Sequence, residues 1–220
     1  MDSSTFRSYI TVYYDYDDID LSLSDNGNIA ILGAEFDKHY MWKSKGHDKE
    51  IYDSLCISHN DMGYDKKRDY IVGTNWGHCS TFDIKSIDIK SNTAYDEQHL
   101  SGASLNDIVR FISVSPQKFI DSNYRITCDW DVNKYKVSNV LQEQRMANFI
   151  NNSERMNYFP IDKKLSEIVG SDELRLLPDH YIGYLLFDSN PTVEKVHTFT
   201  VTVELSNGKT MSKSIEKTFD

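Results

Sequence analysis

Four aspartates within six residues, Asp15, Asp17, Asp18 and Asp20, are the first group in this 220-residue chain that could do chemistry. A hard cation such as calcium wants several carboxylate oxygens at close quarters. The spacing departs from a calcium-binding helix-loop-helix: Ile19 stands where the third ligand belongs, Asp20 where the glycine belongs, and Asn26 where the bidentate glutamate belongs. The cluster therefore reads first as a solvated acidic loop at the end of a strand, with calcium as its alternative. Seven histidines (39, 47, 59, 78, 99, 180, 197) and Cys56, Cys79 and Cys128 are zinc-ligand types, yet there is neither a CxxC nor an HExxH pattern. His78 and Cys79 are sequence neighbours, which on a strand point to opposite faces. Cys79 with a distant histidine could form a nucleophilic pair, but nothing around it has a protease signature. Asp129-Trp130-Asp131 would set two carboxylates about 6 to 7 Å apart on one strand face, a separation used in glycoside hydrolysis; alternation around a core Trp explains the same residues. The sequence thus nominates no catalytic set, no cofactor and no metal beyond the acidic cluster. Exposed aromatics among Tyr13, Tyr16, Tyr40, Trp42 and Trp76 could instead stack sugars, with Tyr13, Tyr16, Trp42 and Trp76 as the expected platform.

The clearest positioning element is the stretch 197–219, HTFTVTVELSNGKTMSKSIEKTF. Phe199, Val201, Val203 and Leu205 alternate with polar residues, the period of a strand with one face on a core. Met211, Ile215 and Phe219 beyond Asn207-Gly208 keep the same odd parity. A two-residue loop would break that parity, so the reading is a three-residue loop, Ser206-Asn207-Gly208, with Gly208 left-handed in a bulge. Lys209, Lys213 and Lys217 share that face, as on a strand edge guarded by charge.

Further strands are expected at 9–16, 29–32, 70–72, 82–89, 124–132 and 181–187. In the first, Ile10, Val12, Tyr14 and Tyr16 share a face; in the fourth, apolar parity changes between Ile84 and Ile87, which predicts a bulge. The run 181–187 is apolar throughout, suited to a strand covered on both faces. Residues 37–69 read as long connections around 51–57. Ser104-Leu105-Asn106-Asp107 looks like a helix cap ahead of Leu105, Ile108, Val109 and Ile112. Helical turns are also expected at 140–150 and at Leu165, Ile168 and Val169 before Gly170. The fold class that follows is mainly β, an antiparallel sandwich with a few short helices, as a single domain over 1–220 or with a boundary near Ser91-Asn92.

Hydrophobic residues at 39%, with 14 Tyr and 10 Phe, suit a folded, strand-rich chain. The formal charge of −10, without a compensating basic cluster, opposes binding to nucleic-acid phosphates. No apolar run approaches the roughly 20 residues of a membrane span, and Met1-Asp2-Ser3-Ser4 has neither region of a signal peptide. Three cysteines do not make a disulfide framework, and at least one is unpaired.

Two stretches, 87–109 and 177–219, resemble uncharacterised lipoproteins of Bacteroidota. The resemblance lies in Ser91-Asn92, Tyr95-Asp96, His99, Gly102 and Ser104 to Asp107, then in Pro191, His197, Phe199, Val201 and Asn207-Gly208. It implies export, an outer-membrane lipid anchor through an upstream cysteine absent here, and an immunoglobulin-like sandwich toward the C-terminus. It supplies no catalytic residue. The expected function is a non-catalytic binding or adhesion module of the cell envelope, for glycan or a protein partner. The alternative is a glycoside-active hydrolase with a site assembled from distant carboxylates.

Overall fold

The computed structural model describes residues 8–23, 29–64, 77–126, 157–170, 173–178 and 181–219. Nine strands and two helices follow in the order β1 (Ile10–Leu23), β2 (Ile29–Met41), α1 (His47–Ser58), β3 (Gly77–Ser80), β4 (Ile84–Ser91), β5 (Val109–Ser115), α2 (Gln117–Asp121), β6 (Phe159–Lys164), β7 (Tyr181–Phe187), β8 (Val196–Leu205) and β9 (Thr210–Thr218) among the described residues. A six-stranded sheet has the order β3-β1-β2-β7-β5-β6, and a three-stranded sheet the order β4-β8-β9. All neighbours are antiparallel except β1 and β3. The mainly β sandwich expected from the periodicity is therefore present.

The first core lies between the sheets. Tyr16, Ile19, Leu32, Phe111, Ile182 and Leu185 of the larger sheet meet Ile84, Ile89, Phe199, Val201, Val203 and Leu205 of the smaller. A second core gathers Ile10, Tyr13 and Cys79 with Tyr52 and Cys56 of α1 and Phe119 of α2. Burying each such side chain stabilises the fold by roughly 1.5–3 kcal/mol, so the two cores outweigh any surface contact described below.

The β8–β9 hairpin follows its sequence pattern closely. Val203 pairs with Met211 and Glu204 with Thr210, Leu205 N–H donates to Lys209 O at 2.8 Å, and Gly208 N–H donates to Leu205 O at 3.0 Å. The loop is the three residues Ser206-Asn207-Gly208, with Gly208 at φ +87, a conformation that costs other residues strain. In β4 the register shifts between Ile84 and Ser86, the bulge that the change of parity requires. β7 is covered on both faces, with Ile182 through Leu186 buried.

Other expectations are corrected. The stretch 37–64 is not mainly connections: β2 runs on to Met41, and α1 takes in the whole of 51–57, with 65–69 outside the described residues. Ser104-Leu105-Asn106-Asp107 caps no helix. Ile89 N–H donates to Asn106 Oδ1 at 3.1 Å, and Asn106 Nδ2 donates to Ile87 O at 3.1 Å. The amide thus occupies the ladder positions of a missing neighbour along the outer edge of β4, which would otherwise be open to pairing. Val109 and Ile112 belong to β5. Leu165 opens a 3₁₀ turn, Leu165–Glu167, and Gly170 has φ +80. Tyr124 has φ +60 just after α2 and begins no strand. The strand expected at 70–72, the remainder of 124–132, the helix at 140–150, Asp129-Trp130-Asp131, Trp76, Cys128 and His180 lie outside the described residues.

Candidate functional site

The acidic residues sit on a strand, not in a loop. β1 extends through all four aspartates to Leu23, with register irregularities on either side of Tyr16. Asp17 and Asp18 meet lysines from the other sheet: Lys209 Nζ lies 3.2 Å from Asp17 Oδ1 and donates to Tyr16 O at 2.8 Å, and Lys213 Nζ lies 2.7 Å from Asp18 Oδ2. The hydrogen bond from Lys213 holds Asp18 below its ordinary carboxyl value, and Asp18 holds Lys213 above its ordinary amine value. Burial, with a contribution from Asp37, raises Asp15. Among the described residues no group of three His, Cys, Asp or Glu has metal-holding geometry. The cluster ties one sheet to the other, and Lys209, just before β9, and Lys213 on β9 are its counter-charges.

The expected aromatic platform is not assembled. Tyr13 is 0% and Tyr16 1% exposed. Both are core, one in each cluster. Trp42 is half-buried against the second core with Lys43 Nζ 4.7 Å from its ring. The physical reason is the irregular path of β1. Ile10 and Tyr13 enter one core, Tyr16 and Ile19 the other, and strict alternation is lost at the bulges.

The same path places Tyr14 at the surface, where it centres a different aromatic group. Its ring lies 4.3 Å from Phe36, 5.9 Å from His39 and 5.7 Å from His78. His78 comes from β3, Tyr14 from β1 and Phe36 and His39 from β2, three adjacent strands. Tyr14 pairs in register with His39, so the sheet ladder fixes their relation. His78 points away from Cys79, as alternation requires, and Cys79 is sealed in the second core. Tyr14, Phe36 and His78 are half-buried and His39 is exposed. The cluster offers flat π faces beside imidazole nitrogens that can donate or accept hydrogen bonds. Finding it required the register between β1 and β2, which the sequence does not disclose because the bulges displace it.

Two histidines make polar pairs that resemble catalytic ones. His197 Nε2–H donates to Glu194 O at 2.8 Å, which leaves Nδ1 to accept from the Ser91 hydroxyl at 2.8 Å. This has the form of a nucleophile and base, but both residues are buried and the third partner is a carbonyl. The pair pins the end of β4 to the start of β8. His99 bridges two acids, with Nδ1 2.8 Å from Asp96 Oδ1 and Nε2 3.0 Å from Asp107 Oδ1. Burial pushes its pKa down, and the hydrogen bonds to the two carboxylates outweigh that and raise it.

Cys56 and Cys79 are buried cysteines outside any disulfide. Burial pushes Cys56 up to about 11, so its reactive thiolate is disfavoured near neutrality. No family model, curated protein or solved structure matches the chain.

Proposed function

We propose that this protein is a non-catalytic binding module of the cell envelope, and that its ligand is an uncharged glycan held on the Tyr14 cluster. The observation that carries this reading is the convergence of Tyr14, Phe36, His39 and His78 from three adjacent strands into one surface group. A sugar ring stacks its apolar C–H face on an aromatic side chain, and its hydroxyls find hydrogen-bond partners in imidazole nitrogens. The net charge of −10 favours an uncharged ligand over an anionic one. Resemblance to exported lipoproteins supports an immunoglobulin-like domain held at the outer membrane by a lipid on an upstream cysteine. No helix of the described residues is long and apolar enough to cross a membrane.

The test is an array of neutral oligosaccharides probed with wild type, Tyr14→Ala and Lys85→Ala. The expected outcome is binding by wild type and Lys85→Ala, with Tyr14→Ala weakened about tenfold or more, equivalent to about 1.4 kcal/mol. Binding that survives Tyr14→Ala would overturn the site. An empty array, or capture of a protein ligand alone, would overturn the glycan reading.

A further inference from the structure

Residues 92–107, between β4 and β5, turn back along the outer edge of β4 as a strap. Gly102 N–H donates to Ser91 O and Leu105 N–H to Ile89 O, both at 2.8 Å. Ser104 faces Lys90 in an antiparallel bridge, and its hydroxyl donates to Asp88 Oδ1 at 2.7 Å. The Asn106 amide then covers Ile89 N–H and Ile87 O. The strap stands in for a fourth strand on an edge otherwise open to pairing.

Both limbs of the strap meet on one side chain. His99 Nδ1 lies 2.8 Å from Asp96 Oδ1, Nε2 lies 3.0 Å from Asp107 Oδ1, and the imidazole between them is 9% exposed. A neutral imidazole carries a single N–H, so it donates to one carboxylate and turns a lone pair toward the other. Only the imidazolium donates to both. Burial pulls the His99 pKa down, and the two carboxylates outweigh it and hold the pKa up, in keeping with that geometry.

The two acids are not held equally. Asp96 Oδ1 also accepts from the backbone N–H groups of Gln98 and His99, each at 2.8 Å, whereas the Asp107 side chain is 60% exposed. The neighbouring lysines are turned to other acids. Lys90 of β4 lies 3.4 Å from Asp88. Lys164 of β6 lies 3.0 Å from Asp188, after β7, and donates to the Asp107 carbonyl at 2.8 Å. Glu97, beside the clamp in sequence, is exposed. Asp107 is therefore the end that loosens, and its neighbour Asn106 is the residue that plugs the β4 edge.

We propose that residues 92–107 form a pH-sensitive strap on the β4 edge, closed at both limbs by the His99 imidazolium and loosened at Asp107 when His99 is neutral. Loosening draws Asn106 away and uncovers the ladder positions at Ile87 and Ile89. The strap shares no residue with the Tyr14 cluster, so its success or failure leaves the glycan reading untouched.

The experiment measures amide hydrogen exchange by NMR on the full chain from about pH 5 to about pH 8.5, a range that spans the ordinary histidine value. Rates are expressed as protection relative to an unstructured chain at each pH, and the imidazole signal of His99 is followed in the same samples. Protection at Ile89 and Leu105 should fall about two- to fivefold, the range carried by a partly exposed ion pair, with the midpoint of the His99 titration. Leu205, which pairs with Ile84 at the other end of β4 and donates to Lys209 O, should keep its protection. His99→Gln should give the lower protection at every pH, with no inflection. Asp107→Asn offers Nε2 either a donor or an acceptor, so it should flatten the curve with the strap still closed. Protection at Ile89 and Leu105 that stays level while His99 titrates would overturn the proposal, and that comparison needs no variant to fold. An equal fall at Leu205, or an inflection that persists in a folded His99→Gln protein, would overturn it as well.

Discussion

Asp61 gives the sharpest test of how β1, and with it Tyr14, is held in place. Its side chain is 0% exposed. Oδ1 accepts from Tyr9 N–H at 2.7 Å and from the Tyr124 hydroxyl at 2.7 Å, and Oδ2 accepts from Ile10 N–H at 2.8 Å. One side chain just beyond α1 therefore satisfies the first backbone donors of the strand that presents the candidate site. Asp61→Ala strands two buried N–H groups, each costing about 1–3 kcal/mol, while the Tyr124 hydroxyl, nearer the surface, recovers water; the expected loss is about 2–6 kcal/mol. Asp61→Asn should lose less, because its amide oxygen keeps two of the three bonds while its NH₂ faces Ile10 N–H. Urea unfolding followed by circular dichroism measures both. The two proteins also differ in pH response. Burial raises Asp61 above its ordinary value, against the pull of its three donors, so the folded chain keeps this proton to higher pH than the unfolded chain, where Asp titrates near about 3.9. The stability of wild type relative to Asp61→Asn must then fall as pH rises from about 4 through the raised folded value, and level off above it. An Asp61→Ala protein within about 1 kcal/mol of wild type would refute this account.

Three further outcomes follow from the same reasoning. Val203→Ala removes buried methyl groups from the inter-sheet core and should cost about 2 kcal/mol in urea melts, with Phe199→Ala at about 3–5; Thr202→Ala, which loses an exposed hydroxyl bonded to Ser212 at 3.0 Å, should cost under about 1 kcal/mol. Gly208→Val should cost about 1–3 kcal/mol through strain alone, since its added Cβ meets nothing within 4 Å, and a neutral result would contradict the left-handed turn. For His99 the raised pKa means that its bridge to Asp96 and Asp107 contributes fully below about pH 6.5 and is lost as pH rises through the folded value; calorimetric Tm should show that decline in wild type and not in His99→Gln, with a small amplitude because Asp107 is largely exposed.

The parts of the fold written in local alternation were legible before the structure. β8 and β9 have an uninterrupted period of two and a loop whose length the parity of Met211 and Phe219 dictates, so sequence and structure agree to the residue. The bulge in β4 announced itself as a parity change between Ile84 and Ile87. β1 was harder because Ile10, Tyr13, Tyr16 and Ile19 are buried at a spacing of three, produced by irregularities that no local rule locates. α1 was missed although Tyr52 and Cys56, both buried, stand four apart; its flanks are polar and Gly46 offers no side-chain cap. Asn106 looked like part of a helix start because its neighbours Ser104 and Asp107 are capping residues, whereas its role as an edge plug depends on the distant placement of Leu105 against β4. The candidate site was illegible for the same reason as β1. The aromatic character of the surface could be anticipated from composition, but which tyrosine faces outward depends on the bulges.

The most direct test of the glycan site is a ¹H–¹³C NMR titration of the imidazole signals with the strongest neutral oligosaccharide from the array. The signals of His39 and His78, on either side of Tyr14, should move together and saturate with one affinity. Those of His99 and His197, held in their own hydrogen-bond networks, should stay fixed. Shifts at His99 or His197 with His39 and His78 unmoved would contradict the assignment of the Tyr14 cluster as the binding site.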